Sequence, residues 1–308
     1  MSEIDVPGVL IVGSVNADVT AYSSRLPKPG ETFAGDAFAL GLGGKGANQA
    51  VAVARAGAAA HMVGCVGDDH FAELVLGQLG DAGVRLGHVR RTDAQTGIAH
   101  IRVAAGENDI VIVAGANDLL DEAQLDAAFA AVAGGASVML TQLETPLPIT
   151  IAAARRAREA GMTVILDPAP ARELPDELWP LVDIVKPNET EAELLTGIAV
   201  DSAETAAATG RAMLERGAGA AIITMAAAGS VLVTAQGVSE HPPLRVDAVD
   251  TTAAGDAYAG HLAASVAAGL SLEAAIERAA AAGAVTVTRR GASAAIASAA
   301  EVDSLLAR

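Results

Sequence analysis

The chain contains a single cysteine, Cys65, so no internal disulfide is available, and the apolar residues around it point to an inert buried thiol. Positive charge is also scarce: 20 Lys and Arg stand against 37 Asp and Glu, a formal net charge of −17. Such a surface repels phosphodiester backbones and anionic lipid, which argues against nucleic-acid and membrane partners. Long apolar runs are missing as well. The hydrophobic fraction is 52%, much of it alanine, and the longest apolar window, Ala127 to Leu140, is broken by Gly134, Gly135 and Ser137. It falls short of the roughly 20 residues that a membrane span needs. Met1 to Gly8 has no basic stretch followed by an apolar one, so no secretory signal is expected. These absences, with no internal repeat, low-complexity tail or obvious linker, point to a soluble cytoplasmic protein. At 308 residues one large α/β domain with an appendage is the expected organisation.

What is present is an alternation of short β-type runs with Ala-rich helical segments. Val9 to Val12 precedes Ala47 to Ala56; Val138 to Leu140 precedes Ile149 to Ala160; Val164 to Leu166 and Ile184-Val185 precede Glu189 to Leu195; Ile222 to Thr224 follows. This order predicts a mostly parallel sheet covered by helices on both faces. Gly97 to Val113 departs from the pattern and reads as a hairpin around Ala105-Gly106-Glu107-Asn108-Asp109. With strand-like stretches at Val15 to Tyr22 and Glu31 to Ala39 it suggests a small discontinuous β lid, roughly 15–40 and 97–113; the alternative is an ordinary surface hairpin. Several apolar runs also end in polar residues with no packing reason to be there: Glu144, Asp167, Asn188 and Thr224. In open α/β sheets ligands bind outside the carboxyl ends of the strands, so these residues are expected to line one crevice.

The most informative stretch is Val249-Asp250-Thr251-Thr252-Ala253-Ala254-Gly255-Asp256, which runs into a helical segment from Ala257 to Leu270. A small-residue turn opening a helix offers unpaired N–H groups at the positive end of the helix dipole, and a carboxylate there suits chemistry on an anion. Asp256 then reads as a base beside a phosphate; as an isolated residue it reads equally as a helix N-cap. Gly41-Leu42-Gly43-Gly44-Lys45-Gly46-Ala47-Asn48 lets backbone approach a ligand closely, with Lys45 and Asn48 as donors. It matches G-x-G-x-x-G, which raises a dinucleotide site, and it is not a P-loop because Gly46 follows Lys45. Asn16 and Asp18 offer an amide and a carboxylate suited to sugar hydroxyls, and Glu144 can accept another hydroxyl proton. Asn188 and Glu191 open a helix crowded with acids, which either stabilise its positive end or meet the magnesium on a nucleotide.

Gly13-Ser14-Val15-Asn16-Ala17-Asp18, Gly43-Gly44-Lys45-Gly46-Ala47-Asn48-Gln49, Asp167-Pro168-Ala169-Pro170-Ala171-Arg172, Lys186-Pro187-Asn188-Glu189-Thr190-Glu191-Ala192-Glu193 and Asp250-Thr251-Thr252-Ala253-Ala254-Gly255-Asp256 closely resemble, in order, the ribokinase-like (PfkB) sugar kinase family. The resemblance runs from about Val9 to Gly291. It implies a central sheet with helices on both faces and a β lid over the sugar, often pairing with the lid of a second subunit. It implies ATP-dependent phosphorylation of D-ribose at its 5-hydroxyl, with Asn16, Asp18, Gly44, Lys45, Gly46, Asn48 and Glu144 holding the pentose and Asp256 as general base. ATP would meet Asn188, Thr224, Ala226, Gly229 and Gly255, and Ala253, Ala254, Gly255 and Asp256 would form an anion hole. Glu191 would meet Mg²⁺ through water. A potassium ion would use Asp250, Thr252, Thr286, Arg289 and Gly291, several through backbone oxygens.

Three positions depart from the family pattern: Ala226 where relatives usually carry glycine, Ala280 where His or Asn is common near the adenine, and Ala295 where some relatives supply a hydroxyl to potassium. Competing readings are a kinase for a close analogue such as deoxyribose or for a nucleoside, a noncatalytic sugar sensor on the same fold, and a dehydrogenase suggested by the glycine-rich loop.

Overall fold

Strand β1 (Gly8–Val12) has no polar side chain, and all five of its residues are buried. A strand apolar on both faces belongs inside a parallel sheet. In the computed structural model, which describes residues 8–104 and 107–307, β1 lies inside a sheet of nine strands, two strands in from one edge. From one edge to the other these are β13 (Gly237–His241), β12 (Ser230–Thr234), β11 (Ala220–Thr224), β10 (Ile184–Val185), β9 (Thr163–Leu166), β8 (Ala136–Thr141), β1, β4 (Ala60–Val66) and β5 (Arg85–Arg91). All neighbours pair parallel except β11, β12 and β13, which form an antiparallel edge.

Alternation along β1 sends its side chains into two separate cores. Val9 and Ile11 join a cluster with helices α1 (Lys45–Arg55), α2 (His70–Asp81), α7 (Ala254–Ala267), α8 (Leu272–Thr286) and α9 (Ala299–Leu306). Leu10 and Val12 join the opposite cluster with α3 (Glu122–Ala131), α4 (Leu147–Glu159), α5 (Glu189–Thr196) and α6 (Ala203–Glu215). Cys65 is fully buried in this second cluster, and burial raises its thiol pKa, so it is a packing residue. No described helix is long and apolar enough to cross a membrane. Strand order reverses between β1 and β8, which opens a crevice at their carboxyl ends.

A second sheet of four strands, β3 (Ala37–Gly43), β2 (Asn16–Ser23), β6 (Gly97–Ala104) and β7 (Glu107–Val113), stands apart from the first. The expected hairpin is β6 with β7, paired antiparallel; Ala105 and Gly106 of its turn lie outside the described residues, as do Met1 to Pro7. Most element boundaries shift by one or two residues, and two segments differ by more. The strand read from Glu31 to Ala39 begins only at Ala37 and runs on to Gly43, because Glu31 is drawn into a local turn. Its carboxylate accepts from the Arg25 guanidinium at 2.8 Å and from Lys28 N–H at 2.9 Å. The helix read from Ala257 to Leu270 is α7, which starts at Ala254 and ends at Ala267, so Asp256 lies inside its first turn rather than at its cap.

Candidate active site

Helix α7 is apolar nearly all round, and 11 of its 14 residues are buried, so it packs as an inner helix. It lies close against α1 because Gly260 carries no side chain: a Cβ there would sit 2.3 Å from Ala52 Cβ. That close approach, one turn beyond Asp256, brings the start of α1 within reach of the carboxylate. Asn48 Nδ2 donates to Asp256 Oδ2 at 3.0 Å and Gln49 Nε2 donates to Oδ1 at 3.1 Å. Asp256 is 6% exposed. It is not a cap, since Ala253 occupies the N-cap position of α7 without a side-chain bond.

The N-terminus of α7 is therefore open. Ala254 N–H turns back to the Thr251 carbonyl at 3.3 Å, while Gly255 and Asp256 N–H have no acceptor among the described residues. Unsatisfied donors at the positive end of a helix make a ready anion site. Ala253 holds a left-handed φ of 59°, which for alanine costs about 1 kcal/mol or more; the strain holds the turn that exposes these donors.

The glycine-rich stretch is half strand and half helix. Gly41, Leu42 and Gly43 pair with Asp18, Ala17 and Asn16, and the chain turns at Gly44, whose φ of 85° places the first turn of α1 beside β1. Glu144, after β8, accepts from Ser14 Oγ at 2.5 Å and from Lys45 N–H at 3.0 Å, and Ser14 Oγ also accepts from Gly46 N–H at 3.3 Å. Asn16, Asp18, Gly44, Lys45, Gly46, Asn48, Glu144 and Asp256 thus meet at the crevice where strand order reverses. Burial first, then the Glu144 and Asp256 carboxylates, push Asp18 up to about 6. For Lys45 burial works downward, but Asp256, Asp167, Glu144 and Glu191 outweigh it and raise the ammonium pKa. Asn48 Oδ1 is buried with no partner among the described residues. An unpaired buried acceptor costs about 1–3 kcal/mol, and a ligand hydroxyl would satisfy it.

The neighbouring strand ends hold the second group. Asn188 caps α5 by accepting from Glu191 N–H at 2.8 Å, and Glu191 Oε2 accepts from Asn188 N–H at 2.9 Å, a reciprocal capping box. Burial and Asp167 raise the Glu191 pKa, against the pull of Lys186 and Lys45. Asn188 and Thr224 are bridged across β10 and β11, and a short 3-10 turn, Ala226–Ala228, leads to Gly229. Ala226 sits at φ 43°, the conformation for which glycine is the natural choice.

Beyond the crevice, Asp250 Oδ1 accepts from Thr252 N–H at 2.9 Å and from its hydroxyl at 2.6 Å, and Oδ2 accepts from Gly291 N–H at 2.9 Å. Burial alone would raise its pKa, but these donors and Arg290 bring it below the ordinary carboxylate value. Thr286 and Arg289 lie at the end of α8, but their side chains turn away. Thr286 Oγ1 donates to the Ala282 carbonyl, and the Arg289 guanidinium pairs with Glu301. Ala295 is 1% exposed, and Ala280 is half-buried against the first core.

The sequence pattern gave no role to Gln49, Gln142 or Lys186, which join these groups, and placed Asp167 only as a polar strand end lining the crevice. Gln49 Nε2 reaches both Asp256 and Asp167 Oδ2, the latter at 2.8 Å, and Gln49 Oε1 accepts from Gln142 Nε2 at 2.5 Å. Asp167 Oδ1 lies 3.0 Å from Lys186 Nζ, with both side chains almost wholly buried, and Lys186 also donates to the Gly255 carbonyl at 3.4 Å. The signal for Gln49 and Lys186 was position alone: Gln49 stands beside Asn48 in the glycine-lysine stretch, and Lys186 directly follows Val185 at the end of a strand.

An open helix N-terminus, a buried carboxylate held beside it and a cluster of hydroxyl-binding groups define a phosphotransferase acting on an alcohol. The chain belongs to the pfkB family of carbohydrate kinases, whose match covers residues 7–299. It is 39% identical over 289 residues to the ribokinase of Haemophilus influenzae, covering 93% of this chain and 94% of that one. It is 36% identical over 286 residues to the deoxyribokinase of Salmonella typhi, covering 92% and 93%. Among solved structures, that of Arabidopsis thaliana ribokinase complexed with ribose and ATP aligns with a TM-score of 0.90 at 32% identity, covering 97% of this chain and 98% of that one.

Proposed function

We propose that this kinase transfers the terminal phosphoryl group of ATP to the 5-hydroxyl of D-ribose. The observation that carries the reading is Asp256, buried beside the open N-terminus of α7 and held by Asn48 and Gln49. Asp256 takes the proton of the attacking hydroxyl as general base. Charge developing on the transferred group meets the free N–H donors of the Ala253 to Asp256 turn, where preorganised dipoles stabilise a loose transition state. Asn16, Asp18, Lys45, Asn48 and Glu144 orient the pentose, and the closely packed backbone of Gly44 and Gly46 shapes its pocket. Asn188, Thr224, Ala226, Gly229 and Gly255 meet the nucleotide. The second sheet acts as a lid that excludes water and limits hydrolysis of ATP.

Magnesium arrives on the nucleotide. Glu191 fits a contact through water, because its Oε2 is committed to the Asn188 N–H and its other oxygen has no partner among the described residues. Potassium would be held at the corner around Asp250, Thr252, Thr286, Arg289 and Gly291 by the Asp250 carboxylate, whose pKa lies below the ordinary value, and by backbone oxygens, although Ala295 contributes no hydroxyl. Bound there, the ion would neutralise charge beside the turn.

A second reading is a kinase for deoxyribose, favoured by the 36% identity to a deoxyribokinase. One coupled assay separates the two: kcat/KM for ribose, deoxyribose and a panel of hexoses and nucleosides, in potassium and in sodium. Ribose is expected to be preferred, with faster turnover in potassium. A preference for deoxyribose would select the second reading, and equal rates in the two salts would dismiss the cation corner.

A further inference from the structure

Asn117 lies in a short 3-10 turn, Gly115–Leu119, just beyond β7, and belongs to none of the motifs above. It is 1% exposed, and the backbone dictates which end of its amide is which. Val15 N–H donates to Asn117 Oδ1 at 2.8 Å, so the other end must be Nδ2. Nδ2 donates to the Ala114 carbonyl at 2.9 Å and to Asn16 Oδ1 at 2.7 Å. The polarity of Asn16 is fixed in turn: its oxygen faces Asn117, and its Nδ2 has no acceptor among the described residues. Gly97 closes the other side, since a Cβ there would sit 2.2 Å from Asn16 Oδ1 and 2.4 Å from Asn117 Nδ2. There is no slack for the Asn16 amide to swing. Asn16 and Asp18 are two apart on β2 and share a face of the second sheet.

We propose that Asn117 is a positioning residue for sugar recognition. It relays the fixed direction of the Val15 peptide N–H into the orientation of Asn16. The sugar then meets an N–H donor from Asn16 beside the acceptor carboxylates of Asp18, Glu144 and Asp256. A hydroxyl matches this pair of neighbours, because it can donate its proton to a carboxylate and accept from Asn16 Nδ2 with a lone pair. An amine, charged and without a lone pair, cannot accept from Asn16. The inference rests on the placing of Asn16 in the sugar subsite proposed above.

The test is a double-mutant cycle of Asn16→Ala and Asn117→Ala, reading KM for ribose, KM for ATP, kcat and thermal midpoint. Asn117→Ala is expected to raise the ribose KM by about tenfold, the cost of losing one well-oriented bond to a buried hydroxyl, while the ATP KM and kcat stay within about twofold. The double variant is expected to bind ribose no worse than Asn16→Ala alone, because Asn117 acts only through Asn16. Asn117→Asp keeps an acceptor for Val15 N–H but sets an oxygen against Asn16 Oδ1. It is expected to raise the ribose KM and, because a buried carboxyl oxygen then faces two acceptors, to lower the thermal midpoint further than Asn117→Ala; Asn117→Ser, small and uncharged, serves in place of any variant that does not fold. An unchanged ribose KM in the Asn117 variants, a parallel rise in both KM values, or fully additive effects in the cycle would overturn the proposal. A silent Asn16→Ala would instead remove Asn16 from the sugar subsite, a separate result.

Discussion

At the scale of single residues, the sugar-binding role proposed for Asp18 makes ribose binding pH-dependent. Its folded-state pKa of about 6 lies above the ordinary 3.8, so the sugar-free folded protein holds this proton more tightly than the unfolded chain does. The contribution of Asp18 to stability is therefore complete below about pH 4 and is lost as pH rises through about 6. A sugar hydroxyl that donates to Asp18 needs the carboxylate form, so the ribose KM is expected to rise as pH falls below about 6, with kcat less affected. Steady-state kinetics across that range check it: Asp18→Asn should flatten the KM profile, and an unchanged profile would place the titrating group elsewhere. Most site residues were legible because each ends a strand or sits in a glycine-rich turn, where a polar side chain has no packing role. Gln49, Gln142, Lys186 and Asn117 had no assigned role because they act through partners distant in sequence: Gln49 and Asp256 are 207 residues apart, and Asn117 and Asn16 are 101 apart.

At the scale of elements, the start of α5 carries the two readings that the sequence left as alternatives. Asn188 and Glu191 form a capping box, so the stabilising reading holds in the structure, and one Glu191 oxygen remains free for the functional reading. Glu191→Gln separates them. The amide oxygen still accepts from Asn188 N–H, so stability to urea should change by no more than about 0.5 kcal/mol. The magnesium concentration for half-maximal activity should rise several-fold, by about threefold or more, because the charge facing the ion is gone. A lost thermal transition with unchanged magnesium dependence would leave only the cap. The strand and helix pattern itself was readable from hydrophobic periodicity. The misplaced segments have local causes: Glu31 is held by Arg25 and Lys28, and α7 reaches back to Ala254 through small residues that carry no periodic signal.

At the scale of the molecule, one face of the second sheet carries both Asp18 and a row of exposed apolar side chains. Strand register places Asp18, Ala99 and Ile112 in one row, and Thr20, Ile101 and Ile110 in the next. Ile110 and Ile112 are half exposed, at 50% and 51%, and Tyr22 on the same face is 41% exposed. An apolar row continuous with the sugar-facing Asp18 is the basis for proposing that the lid pairs with the lid of a second copy into a homodimer. Sedimentation equilibrium should give twice the chain mass for the wild type and the single mass for Ile112→Glu; a monomeric wild type would dismiss lid pairing. The lid was legible as a hairpin that breaks the alternation, whereas its register, and hence which residues share the face of Asp18, became visible only in three dimensions.

Asp256, at the open end of α7, is proposed to remove the proton from a ribose hydroxyl as the phosphoryl group is transferred. The most direct test of that role is the turnover of Asp256→Asn with saturating ribose and ATP, measured beside ribose affinity by calorimetry. We expect kcat to fall by about 10²–10⁴ with ribose affinity within a few-fold of wild type. A variant that keeps near-normal kcat would contradict the account.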